Sequence, residues 1–145
     1  MLLLAGDLAV GTVFDIGSHR LSEREIVDFG RAWDPLPHHT EPGSAPALRF
    51  GGVIASGVHV LAVFQRLQVD AFLRRVAVVA GMGTDGMHLL APSRPGDVLS
   101  GRVEIVAVTP RPGRDDAIVR TLGRLSTGTG TVVFEVDARI LVRNA

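Results

Sequence analysis

The chain has 145 residues, 46% hydrophobic and 21% charged, with fifteen acidic residues against fifteen basic ones and no cysteine. Zero formal net charge, with Arg74-Arg75 as the longest basic run, leaves no electrostatic footprint for nucleic acid or an anionic membrane surface. Without Cys there are no disulfides, thiolate nucleophiles or Cys-based zinc sites, and without Lys there is neither a Schiff-base amine nor a phosphate-gripping lysine.

This length predicts a single domain over residues 1–145, which the order of elements below makes α+β, able to bury roughly 70% of the surface that the unfolded chain exposes. Met1-Leu2-Leu3-Leu4-Ala5 is too short for a secretory leader, and no apolar run approaches the roughly 18 residues of a spanning helix, so a cytoplasmic location is expected. Thr12 to Ile16 reads as a short strand that turns at Gly17-Ser18, which puts His19 on a surface turn. Ser22 and Glu25 form a capping-box pattern, and Ile26, Phe29 and Trp33 recur at helical spacing to give one core-facing stripe. That helix ends at Asp34, because Pro35 disfavours helical geometry in the residue before it.

Asp34-Pro35-Leu36-Pro37-His38-His39 then places a carboxylate and an imidazole in a stretch stiffened by two prolines, with Glu41-Pro42-Gly43-Ser44 continuing as irregular structure. Val53 to Leu67 is apolar on nearly every side. At about fifteen residues without Pro it is too long for a typical strand, and it reads as a buried central helix of roughly 22 Å at 1.5 Å per residue. Such a helix needs a curved sheet around it, and strands follow. An extended segment runs from Val76 to Leu90. Residues 98 to 109 alternate with Leu99, Val103, Ile105 and Ala107 on one face, and residues 117 to 125 form the next strand. In the last strand Val132, Phe134, Val136, Ala138, Ile140 and Val142 face inward against an outer row that includes Val133. Strict alternation means an antiparallel sheet with one wet face.

Asp34 and His39, held in a stiff loop, read as a proton-transfer pair, and two other readings of the chain's motifs are weaker. A metal site from Asp34, His38, His39 and Glu41 lacks the helical spacing of zincin-type ligands, and the prolines oppose a tight cage. Gly81-Met82-Gly83-Thr84-Asp85-Gly86 matches a dinucleotide-binding pattern, but no helix follows it. The glycines are better read as a bulged strand. His59 is expected inside the central helix as a hydrogen-bonded core histidine, and His38 as solvent-facing or packing.

The order of three motifs, Trp33 to His39, Phe50-Gly51-Gly52-Val53-Ile54-Ala55-Ser56-Gly57 and Pro92-Ser93-Arg94-Pro95-Gly96-Asp97, resembles the MaoC-like dehydratases, the (R)-specific enoyl-CoA hydratases of hot-dog fold. The resemblance covers essentially the whole chain. It implies an Asp34–His39 catalytic pair and a Gly57 at the start of the central helix. It further implies a homodimer with sheets joined edge to edge, an acyl-CoA or acyl-carrier-protein thioester as substrate, and no cofactor. Leu36, Ser56 and His88 stand where the family often has Asn, His and Arg.

Adding water to a 2-enoyl thioester requires a water activated toward C3, a proton delivered to C2 and stabilisation of the enolate oxygen. His39 and Asp34 suit the first two tasks. The Gly57 N–H, at a helix N-terminus and without a side chain, suits the third, a contribution of about 3 to 4 kcal/mol. Phe50, Ile54 and Ser56 are candidates for the acyl pocket. A hot-dog thioesterase would need a carboxylate on the central helix, and residues 54 to 69 contain no Asp or Glu. The remaining alternative is a non-catalytic acyl-binding subunit of a heterodimer.

Overall fold

The computed structural model describes residues 1–145. Strand β1 (Val13–Arg20) is followed by helix α1 (Glu23–Trp33), two single-turn helices α2 (Pro37–Thr40) and α3 (Ala45–Leu48), and the long helix α4 (Gly57–Ala71). Strands β2 (Val78–Leu89), β3 (Val98–Pro110), β4 (Asp116–Ser126) and β5 (Val132–Arg143) complete it. All pairings are antiparallel, in the order β1-β3-β4-β5-β2, so β1 and β2 are the edges.

Alternation builds the sheet. Along β3, Leu99, Gly101, Val103 and Ile105 are buried, and along β4 Ala117, Val119, Thr121, Gly123 and Leu125 are buried against the helix. The opposite face carries charge pairs between neighbouring strands, Arg120 with Asp137 and Arg124 with Glu135. Val133 is buried although strict alternation would put it outward, because β5 carries two consecutive buried residues, Val133 and Phe134, at its start.

Helix α4 seats on this sheet through one aromatic ring. A Cβ on Gly123 would stand 2.1 Å from Phe64 Cζ, so the missing side chain makes the socket for Phe64, whose ring also lies 5.5 Å from that of Phe134. Val60, Val63 and Phe64 are buried along this face, each worth about 1.5 to 3 kcal/mol of transfer free energy.

The structure corrects several sequence expectations. Strand β1 does not stop at Gly17-Ser18. It passes through a register shift between Asp15 and Gly17, where Gly17 has φ 86°, and carries His19 within the strand. Helix α4 begins at Gly57, with Val53 to Ser56 in non-helical geometry before it, and it is not buried all round: Val58 is 54% exposed. The sheet therefore covers only one side of the helix. Trp33, expected on the core stripe, is 74% exposed, because nothing packs over the last turn of α1 on that side. The segment after Asp34 is not irregular throughout. Pro37 takes the first position of α2, where its fixed φ suits a helix and its missing N–H would have gone unpaired.

Gly81 to Gly86 lies inside β2, as a bulged strand with three register shifts against β5. Nearly every residue of β2 is exposed, including Val78, Val79, Met82, Met87 and Leu89. No helix is long and apolar enough to cross a membrane.

Candidate active site

Three local rules of chain geometry bring the site together. Asp34 is the C-cap of α1, its N–H bonded to the Gly30 carbonyl, and it leaves the helix with φ −154° and ψ 71°. Leu36, before Pro37, is extended, and its carbonyl accepts from the His39 N–H as α2 begins. Ser56 is the N-cap of α4, its Oγ accepting from the Val58 N–H at 3.3 Å.

The His39 ring is buried, with Nδ1 2.7 Å from the Ile54 carbonyl oxygen. A carbonyl only accepts, so Nδ1 carries the proton and donates it. Nε2 then faces Asp34 Oδ2 at 3.4 Å, too long for a direct hydrogen bond and close enough for both groups to share a third partner. That same Oδ2 accepts a hydrogen bond from Ser56 Oγ at 2.7 Å. Ser56 is fully buried and links the carboxylate of α1 to the first turn of α4.

A cavity of about 380 Å³ opens at this point, lined by His38, His39, Ile54, Gly57 and Val60 on one side and by Leu89 and Leu90 on the other. Gly57 is at the first position of α4, and no hydrogen bond from its N–H is made within the chain. A Cβ here would come within 2.4 Å of Leu89 Cδ1, so the absence of a side chain keeps the helix end open to the cavity.

The predicted residues are thus brought together unequally. His39, Gly57 and Ile54 line the cavity, while Asp34 is not part of its lining and approaches it only through His39, 3.4 Å away. Ser56 lies beneath the lining and holds Asp34 instead of forming the pocket wall. Phe50 is set back from the cavity, its ring 6.1 Å from that of His38, and its carbonyl accepts from Arg94 Nη1. His38 is neither free in solvent nor remote: its ring tilts on that of His39 at 4.0 Å and reaches the cavity wall. No group of three or more His, Asp or Glu side chains is placed to hold a metal ion.

One contributor escaped the sequence reading. Gly30 faces α2, and a Cβ on it would meet His39 Cβ and Thr40 Cγ2 at 3.0 Å. Its signal was present as a lone glycine inside a helical pattern, which costs helix stability and so points to a packing need.

A five-stranded antiparallel sheet curved over one face of a central helix is the hot-dog fold. The sequence model of the MaoC like domain matches residues 8–124, and the chain belongs to that family. A MaoC-like dehydratase from Rhodospirillum rubrum is 36% identical, with a TM-score of 0.90 over 99% of this chain and 98% of its own. The R-hydratase PhaJ1 of Pseudomonas aeruginosa superposes with a TM-score of 0.81 at 21% identity, over 99% of this chain and 88% of its own. Protein YdeM of Bacillus subtilis is 27% identical over 137 residues, 94% of this chain and 96% of YdeM.

Proposed function

We propose that the chain interconverts trans-2-enoyl thioesters and (R)-3-hydroxyacyl thioesters, with Asp34 and His39 handling one water and Gly57 holding the thioester oxygen. The observation that carries this reading is the 3.4 Å gap between His39 Nε2 and Asp34 Oδ2, with the His39 proton committed to the Ile54 carbonyl on the far side of the ring. In the hydration direction, Nε2 accepts a proton from water as its oxygen bonds to C3. Electrons move through C2 to the thioester oxygen, which the Gly57 N–H meets at the positive end of α4. The pair then returns a proton to C2, so the enzyme ends as it began. Dehydration is the reverse. The steps are assigned to the pair and are not divided between its two members.

Ile54, Val60, Leu89 and Leu90 give the acyl chain an apolar wall. The carrier is CoA or an acyl-carrier protein. We further propose a homodimer formed along β2, whose exposed apolar edge includes the cavity residue Leu89.

Loss of conjugated absorbance from crotonyl-CoA and longer enoyl-CoAs is the direct assay. Wild type is expected to turn over at least one of them, and Asp34→Asn and His39→Ala each to lose about 10²- to 10⁴-fold in kcat. Equal, negligible rates for wild type and both variants across all chain lengths would sink the reading in favour of a non-catalytic subunit. Release of free CoA would instead mark a thioesterase.

A further inference from the structure

We propose that Glu25, gripped by His19 and His59, is a positioning residue that fixes the first turn of α4, and with it the Gly57 N–H, relative to Asp34. The inference rests on the reaction proposed above and assigns a cluster that this reaction does not otherwise use.

Helix α1 meets the first turn of α4 at two points. At its C-terminal end Asp34 accepts from Ser56, the N-cap of α4. In its first turn Glu25 Oε1 accepts from His59 Nε2 at 3.0 Å, and His59 stands within the first turn of α4. Glu25 and Asp34 are separated by about 13 Å along the axis at 1.5 Å per residue, whereas Ser56 and His59 share a single helical turn. One short stretch of α4 is therefore held from two well-separated points of α1, which removes the pivot that either contact alone would leave. Between them the Phe29 ring stacks on His59, centroids 4.6 Å apart and planes 10° from parallel. His19 of β1 adds hydrogen bonds of 2.7 and 3.0 Å to both oxygens of Glu25 and ties the assembly to the sheet.

Two further observations separate this from ordinary docking of a helix. His59 is buried, and its Nδ1 has no partner, a burial cost that a leucine in the same space would not carry. What His59 supplies in return is the bond to Glu25. Burial of Glu25 disfavours its charge and is the largest single influence on it, but the hydrogen bonds from His59 and His19 and their charges together outweigh burial. The carboxyl therefore sits below its ordinary value and is ionised at neutral pH. The other charges facing this groove are committed elsewhere: Arg24 lies 3.7 Å from Asp28 on α1, and Arg66 donates to Asp70 at 2.6 Å on α4.

The test compares wild type with Glu25→Gln, His59→Leu and the double variant, reading kcat, KM, melting temperature and the amide resonance of Gly57. Each single variant is expected to lose about 10- to 100-fold in kcat with KM unchanged, the loss that an ångström-scale misplacement produces. The Gly57 amide is expected to shift, and the double variant to be no slower than the slower single one. Folded single variants that keep wild-type kcat, or lower kcat with an unmoved Gly57 amide, overturn the proposal. If the variants do not fold, acid titration of the wild type decides. The Gly57 amide must then move with the same midpoint as the Glu25 carboxyl carbon, and indifference overturns the coupling. If the wild type turns over no enoyl thioester, the reaction assignment fails, while the Gly57 response still decides whether Glu25 sets that turn.

Discussion

Because the Ile54 carbonyl can only accept, the His39 ring has one orientation and one tautomer, and the nitrogen left facing Asp34 is the one with a free lone pair. The Asp–x–x–x–x–His spacing was legible in the sequence, but this orientation was not, since Ile54 is fifteen residues away and enters through its main chain. Ser56 was read as pocket lining because it precedes Gly57. Its hydroxyl turned out to serve Asp34, a contact across 22 residues that no local pattern announces. Glu25 was legible as half of a capping box, and Ser22 Oγ does accept its N–H. The carboxylate, however, goes to two histidines instead of reaching back to Ser22. The residue-scale prediction concerns Gly30. Gly30→Ala should gain about 1 kcal/mol of helix propensity and lose a similar amount as α2 is forced back from 3.0 Å contacts. The melting temperature should hardly move. Since the displaced atoms are those of His39 and Thr40, kcat on the enoyl thioester should still fall about tenfold, and an unchanged kcat would show that α2 tolerates displacement.

At the scale of elements, the later strands were readable because alternation is a strong signal when one face is wet, and β2 to β5 end within a residue or two of their expected limits, whereas β1 runs on past its expected turn to Arg20. The central helix was readable in type but not in its start or its exposure. Val53-Ile54-Ala55 continues the apolar run without being helical, since Ser56 caps α4 immediately after it. The apolar outer face suggested complete burial, whereas the sheet covers only the Val60, Val63 and Phe64 side. What fixes α4 on the sheet is a socket, and Gly123 makes it. Gly123→Ala would put a methyl group 2.1 Å from Phe64 Cζ, at the tip of a ring that is packed into the core. Thermal or urea unfolding should show a loss of about 1 to 3 kcal/mol. Gly57→Ala meets only the far end of Leu89 and should leave stability nearly unchanged while reducing turnover, so the two glycine substitutions separate seating from chemistry.

For the whole molecule, the question is what covers β2. Valines, methionines and leucines exposed along an unpaired edge are costly alone, and the cavity wall formed by Leu89 and Leu90 stands on that same edge. A second copy pairing there would shelter both. Sedimentation should therefore show a dimer for wild type. Met82→Arg with Met87→Arg should give monomers that lose turnover at concentrations where the wild type retains it. A wild-type monomer with full activity would remove the dimer from the mechanism.

The same strand carries a constraint on how far such assembly could go. A long straight edge recruits any extended peptide and invites endless stacking, but β2 shifts register three times along its pairing with β5. Each shift twists the strand and splits its free main-chain groups into short runs. An arbitrary strand would match one run and miss the next, whereas an antiparallel copy of β2 presents the interruptions in reversed order. In the proposed dimer a self-matching contact of that kind would use up the β2 edge of both copies in a single step, so the glycines that mimic a dinucleotide motif in the sequence would also limit growth along this edge.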